Sequence, residues 1–396
     1  MRIFCSLAFL FIQTAWAICA PALDGSSRAT QNAIDRSPPG AGVDLPPGSF
    51  NWNQGIRITK PIHLRGRDTV IVNSSSSQEG ILNLSNSRSG SIEISGIRFT
   101  RRGGTAPHIV VQGGGQPALV HDCYFEAGSG SHCLQWNTNG GVIWNCEFVV
   151  NPPADAGGIQ FKNSQSDSAW RTGPTIGALD RDGRQNTYVE DCKFVSLYLQ
   201  AMDFDDNSKT VVRHCTFENA AIGSHGQETS PVGARQWELY ENTFVFTASP
   251  SPYPLNLNYW FFVRGGTGVI WKNVMPDIQS QMWGNKAEIK FNIYNIRRRG
   301  QVPCQTRYPA ARQIGFGSNN GGVQVSEPVY LWGNSGGGNY DNPSIEDYDP
   351  DECGRNQHTA DYFKKGRDFF TNTARPDYSP YTYPHPLRGR APIRKE

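Results

Sequence analysis

Lys162, Asp203, Asp205, Asp206, His225 and Arg264 are the side chains of this sequence best suited to moving protons and neutralising charge along a polymer. Breaking a uronic-acid polysaccharide by β-elimination makes three demands: the sugar carboxylate must be neutralised, the acidified C5 proton removed, and the departing glycosidic oxygen protonated. On these residues Lys162 or His225 is read as the base. Arg264 is read as partner of the carboxylate or leaving group, and the aspartates as metal-binding or orienting groups. Three carboxylates within four residues repel one another unless a cation compensates, so Asp203, Asp205 and Asp206 also form a partial oxygen ligand set for Ca²⁺. A neighbouring carboxylate would raise the pKa of His225 toward physiological pH. Hydrolysis is the rival chemistry, with two carboxyl groups acting as acid and base across a glycosidic bond. A third reading is a glycan-binding module without catalysis.

These residues can meet only if the chain winds. Six segments align without internal gaps: Ile109-Val110-Val111-Gln112, Leu134-Gln135-Trp136-Asn137, Ile159-Gln160-Phe161-Lys162, Met202-Asp203-Phe204-Asp205, Ile222-Gly223-Ser224-His225 and Phe261-Phe262-Val263-Arg264. A strand sends successive side chains to opposite faces, which places Leu134, Trp136, Ile159, Phe161, Met202 and Phe204 inside. Gln135, Asn137, Gln160, Lys162, Asp203, Asp205, His225 and Arg264 then share an outer stripe. Asp206 joins it only if the strand ends by Asp205. Gln135, Asn137 and Gln160 are candidate substrate-binding residues. The segments start 25, 25, 43, 20 and 39 residues apart, so extra residues leave the coil as loops, roughly 164–185 and 228–257. Those loops carry Trp170, Arg171, Arg181, Arg235 and Trp237, and Arg235 is the fourth candidate for substrate binding.

A second repeat fixes the period. Asp122-Cys123-Tyr124-Phe125 returns as Asn145-Cys146-Glu147-Phe148, Asp191-Cys192-Lys193-Phe194, His214-Cys215-Thr216-Phe217 and Glu241-Asn242-Thr243-Phe244, with the Cys/Asn position recurring after 23, 46, 23 and 27 residues. Short strands, turn residues and a period in the low twenties describe a β-solenoid, whose coils stack about 4.8 Å apart. The column cysteines are read as small buried hydrophobes interchangeable with Asn242 and Asn273.

The coil period, the Asn/Cys column and the opening Leu45-Pro46-Pro47-Gly48-Ser49-Phe50, followed by Ile56, Ile58, Ile62 and Leu64-Arg65-Gly66, resemble the right-handed parallel β-helix proteins of the pectate-lyase-like superfamily. The resemblance spans about residues 40 to 335. It implies an all-β, single-stranded right-handed parallel β-helix with loop insertions, and a polysaccharide substrate. That superfamily holds lyases, hydrolases, epimerases, tailspikes and adhesins, so the resemblance carries architecture further than activity. Asp205-Asp206 and His225-Gly226 are similar to the paired aspartates and His-Gly of polygalacturonases. That family's Asn-Thr-Asp appears here as Asn137-Thr138-Asn139, and its Arg-x-Lys and the lyase Arg-x-Pro-x-x-Arg are missing.

Organisation and compartment follow from the ends and the composition. Arg2, an apolar stretch from Leu7 to Ile12, and small residues at Ala15 and Ala17 read as a signal peptide over 1–17, hence a secreted or periplasmic protein. Residues 18–40 are then an N-terminal linker, 41–335 the β-helix, and 336–396 a C-terminal extension packed on it. No later stretch has the roughly 20 apolar residues of a membrane span. A net charge of +2 gives no footprint for nucleic acid. Cys304 and Cys353 stand outside the repeat and are expected to pair in an oxidising compartment.

Overall fold

The computed structural model describes residues 20–21, 24–77, 79–85, 87–113, 115–128, 132–150, 157–166, 168, 170, 176, 180–195, 200–247, 258–279, 286–319 and 322–390. The expected leader and Arg171 lie outside them.

Each coil of the chain is three-sided. One turn of it runs Ala118–His121, Tyr124–Ala127 and Leu134–Asn137, and the next begins at Val142–Trp144. The coil strands pair in parallel with their equivalents one coil on, as in Phe125↔Phe148↔Phe194↔Phe217↔Phe244, while Phe316–Ser318 and Gln324–Ser326 form a separate antiparallel pair. Chain direction is thus the same in every coil, and the product is a parallel β-helix.

The recurring phrase marks a corner between two of the sides. Its first residue adopts a left-handed backbone in each copy: Asp122 at φ 53°, Asn145 and Asp191 at 51°, His214 at 56°, Glu241 at 55°. Glycines 96 and 333 fill equivalent corners at 68° and 67°. Asp and Asn tolerate this conformation through short polar side chains, whereas His and Glu are held in it by the strands on either side.

The second residue points inward and is fully enclosed. Cys123, Cys146, Cys192 and Cys215 are buried free thiols. Each donates to the carbonyl two residues before it, at 3.2 to 3.4 Å. Asn242 does more than replace a cysteine. Its Oδ1 accepts from the Cys215 N–H, and its Nδ2 donates to the Val212 carbonyl. Asn273 and Asn334 continue the ladder in the same way. Two residues further on, Phe99, Phe125, Phe148, Phe194, Phe217 and Phe244 stack ring on ring at 4.7 to 5.1 Å through the core.

The ends are closed differently. The expected linker contains the helix Ser27–Arg36, whose first turn is capped by Ser26 accepting from the Ala29 N–H. Ala33 and Ile34 enter the core from it, so the first coil is shielded from water. Toward the C-terminus, Tyr378, Tyr381 and Leu387 cover an outer apolar strip of Leu119, Val142, Tyr188, Val211, Tyr240 and Val269. Cys304 and Cys353 are joined, with Cα atoms 6.1 Å apart. No described helix is long and apolar enough to cross a membrane.

Candidate functional site

The third side carries most of the candidate residues. Its register pairs Ile109↔Leu134↔Ile159↔Met202↔Ile222↔Phe261, the alignment that the sequence segments gave without gaps. Inward residues form core: Trp136, Phe161 and Phe204 are at most 2% exposed. Outward, Gln135, Gln160 and Asp203 fall in one column and Asn137 and Lys162 in the next.

Gln135, Asn137, Gln160 and Lys162 line an open groove of about 370 Å³ together with Asn163, Ser164, Gln165 and Asp206. The strand Met202–Phe204 ends before Asp206, and a backbone φ of 42° there turns this carboxylate onto the groove. Asp206 Oδ2 lies 3.9 Å from the Lys162 ammonium and accepts from Gln165 Nε2 at 3.4 Å. Its Oδ1 is buried without a partner.

Beside this groove the next coil brings His225 onto Asp203 rather than Asp205. Asp203 faces Gly223 across the ladder, and a Cβ at Gly223 would lie 2.2 Å from the Gln200 amide. With no side chain in that place, the His225 ring reaches back and sets Nδ1 2.6 Å from Asp203 Oδ1. The contact is one of charge more than of an aligned hydrogen bond, since neither atom finds a well-directed partner. Gln160 Nε2 donates to the other Asp203 oxygen at 3.2 Å.

Burial is the largest single influence on Asp203 and raises its pKa, but the charge and contact of His225, the charge of His132 and the Gln160 amide together outweigh it and hold the group down at about 2. For His225 burial opposes the imidazolium, and the Asp203 carboxylate overcomes this to raise the pKa. Asp205 behaves oppositely. It is 3% exposed, and desolvation, joined by the charges of Asp206 and Asp203 against that of His225, pushes its pKa up to about 6. Its two oxygens accept from the Asp206 N–H and the Thr229 hydroxyl.

Arg264 closes the row, with Nε donating to the Ser224 carbonyl at 2.6 Å and Nη1 2.7 Å from Glu228. The acids are therefore more enclosed than an outer stripe suggests. Side-chain exposure is 5% for Asp203, 7% for Asp206, 20% for His225 and 35% for Lys162. Lys162 and His225 are the groups that solvent reaches.

Arg235 does not join the site. It is 2% exposed, its Nε donates to the Trp170 carbonyl, and Glu327 lies 3.7 Å from its Nη1. An incoming chain does not reach it, because loop packing has taken up the guanidinium. Trp170, Trp237 and Trp260 are likewise enclosed and offer no sugar platform.

The aspartates do not fit a calcium ion as arranged. Calcium takes six to eight oxygens about one centre. Here Asp203, Asp205 and Asp206 address His225, Thr229 and Lys162 respectively, and among the described residues they do not bring one oxygen each within 4.8 Å of one another.

Four participants escaped the sequence reading. Glu228 holds Arg264. Gln200 crosses Gly223 and donates to the Tyr259 hydroxyl at 3.5 Å. His132 is largely buried near Asp203, Lys162 and His225, and burial leads in lowering its pKa. Tyr259 is missed by strict alternation because the ladder shifts register between it and Phe261. Its ring lies against outward-facing Phe262, with centroids 5.2 Å apart.

Residues 55–244 match the family described as the right handed beta helix region. Among curated proteins none matches the chain. Among solved structures, the chain is similar to an alginate lyase from Paenibacillus sp. str. FPU-7, at 12% identity over 83% of this chain and 97% of that one, with a TM-score of 0.41. It is also similar to ORF18 of Geobacillus virus E2, at 14% over 66% and 62% with a TM-score of 0.32. A family 28 exopolygalacturonase of Yersinia enterocolitica matches at 10% over 83% and 80%, with a TM-score of 0.29. The coil architecture and the family match agree on the class: the chain folds as a right-handed parallel β-helix.

Proposed function

We propose that the protein is an exported carbohydrate-active enzyme that cleaves a uronic-acid-containing polysaccharide by β-elimination in the groove of the third side. The observation that carries this reading is the Asp203–His225 contact at 2.6 Å beside a groove lined by Gln135, Asn137, Gln160 and Lys162. Amide N–H groups are donors whose hydrogen bonds to a sugar carboxylate strengthen as negative charge develops toward the enolate, and the partly exposed Lys162 ammonium holds that carboxylate equally in the ground and transition states. His225 is the accessible proton-transfer group. Its Nδ1 is taken by Asp203, which leaves the opposite ring nitrogen to take the C5 proton once the imidazole is neutral. Because Asp203 raises the His225 pKa, the base form grows with alkalinity, and the rate rises with pH until the ring is fully deprotonated. Tyr259 and Arg264 are the neighbouring groups suited to the leaving oxygen. No step requires calcium.

One observation favours a second reading, hydrolysis. Asp205 and Asp203 lie two residues apart with pKa values split to about 6 and about 2, the pattern of a proton donor beside an ionised carboxylate.

A panel of acidic and neutral polysaccharides separates the readings. Elimination yields unsaturated products that absorb in the ultraviolet, while hydrolysis yields reducing ends without that absorbance. We expect absorbing products from an acidic glycan, unchanged by chelator, and a fall on the order of 10²- to 10⁴-fold in His225→Ala with its circular dichroism intact. Full activity in that folded variant would remove the assignment of the base.

A further inference from the structure

We propose that His63, Glu93 and His121 form a binding site for a divalent transition-metal ion of the zinc type, on a different side of the coil from the groove. The three residues come from consecutive coils, in strands Ile62–Asn73, Ile92–Arg101 and Ala118–His121. His63 pairs directly with Glu93, while His121 pairs with Ser95 and so reaches the same spot diagonally.

Their donor atoms converge. Glu93 Oε1 is 2.8 Å from His121 Nε2 and 3.6 Å from His63 Nε2, and one donor atom from each residue lies within 4.8 Å of the others. Metal bonds of about 2.0–2.2 Å in tetrahedral geometry place neighbouring ligand atoms roughly 3.3–3.6 Å apart, which the Glu93–His63 distance meets and the Glu93–His121 distance reaches by a small opening. It is the one such convergence of three His, Cys, Asp or Glu groups among the described residues.

The surroundings are those of a supported ligand set. Asp122, turned back by its left-handed corner, holds His121 Nδ1 at 2.6 Å, so the ring presents Nε2 toward Glu93. Trp144 stacks on the same ring at 4.1 Å and fixes its plane. Ser95 Oγ, 2.7 Å from His63 Nε2, is the nearest further oxygen. The neighbouring cation, Arg65, is paired with Asp44 at 2.7 Å, which offsets part of its charge. Side-chain exposures of 14%, 17% and 7% for His63, Glu93 and His121 leave a path from solvent.

Two imidazoles and one carboxylate select against Ca²⁺ and Mg²⁺, which prefer all-oxygen shells, and suit zinc. A metal here would bind three coils together near the N-terminal end of the stack.

The test uses the full mature chain, stripped with chelator and titrated calorimetrically with Zn²⁺, with Ca²⁺ as control. One zinc per chain is expected, with no calcium uptake and a higher melting temperature. Co²⁺ substitution should give the visible absorption of a four-coordinate site. Glu93→Gln and His63→Gln, each confirmed folded by circular dichroism, should weaken zinc at least 100-fold, and Asp122→Asn about 10- to 100-fold. Absence of stoichiometric zinc in the unmodified chain overturns the proposal. So does binding that persists unchanged in the Glu93 and His63 variants.

Discussion

Two charged clusters sit on different outer sides of the same solenoid, and their covers separate them. Arg213 and Glu190 are both 0% exposed, paired at 2.5 Å under the C-terminal segment. The guanidinium also donates to the Tyr240 hydroxyl and to the Tyr381 and Thr382 carbonyls, while the second Glu190 oxygen accepts from the His385 N–H and Arg388. Asp203 and His225 meet at a similar distance, yet Asp203 Oδ1 and His225 Nδ1 lack an aligned hydrogen bond, nearby Asp206 Oδ1 has no partner, and His225 keeps a fifth of its side chain open. A buried charge pair whose every donor and acceptor is answered belongs to the scaffold. One that retains open or unanswered atoms keeps free energy available for a ligand.

The sharpest way to break this contrast is to remove one partner of the enclosed pair. Arg213→Met leaves Glu190 desolvated and should cost about 3–5 kcal/mol in denaturant unfolding, with the C-terminal segment losing protection in hydrogen exchange. If stability hardly changed, the cover would not depend on the pair.

In the open cluster the sign reverses. The folded-state pKa of Asp205 is raised from 3.8 to about 6, so the native state binds its proton more tightly than the unfolded chain does. Stability from this group is therefore full at low pH and declines as pH rises from about 4 to 6. Asp205→Asn should stabilise the protein at neutral pH by up to about 3 kcal/mol and give little gain near pH 4. Melting temperatures at the two pH values check it. An equal effect at both would mean that charge is not the cause.

Lys162 gives the smallest effect. It is partly exposed and 3.9 Å from Asp206, so Lys162→Ala should leave stability nearly unchanged. In the proposed reaction it should raise KM by about fivefold and change kcat little. A collapse of kcat would instead make Lys162 the base.

The repeat made most of the fold legible. The six aligned segments of the third side pair in the register that simple alignment predicts, because side-chain alternation and coil stacking leave one in-phase solution for Leu134, Ile159, Met202 and Ile222. The column of cysteines and asparagines was legible for the same reason. Arg235 was not, since a loop residue has no periodic neighbour to place it, and its partners Trp170 and Glu327 lie 65 and 92 residues away in sequence. Tyr259 was hidden by a shift of register, and the partner of His225 by the bare backbone at Gly223.

The sequence by itself determined the period, the inward and outward faces, and the stripe on which Gln135, Gln160, Lys162, Asp203 and His225 gather. These depend on local alternation and repetition, which a linear chain records. Only the tertiary structure decided which of those polar groups solvent reaches and which oxygen each cation meets. Those outcomes depend on loops and a C-terminal segment folding back across many coils, where separation in sequence carries no trace of distance in space.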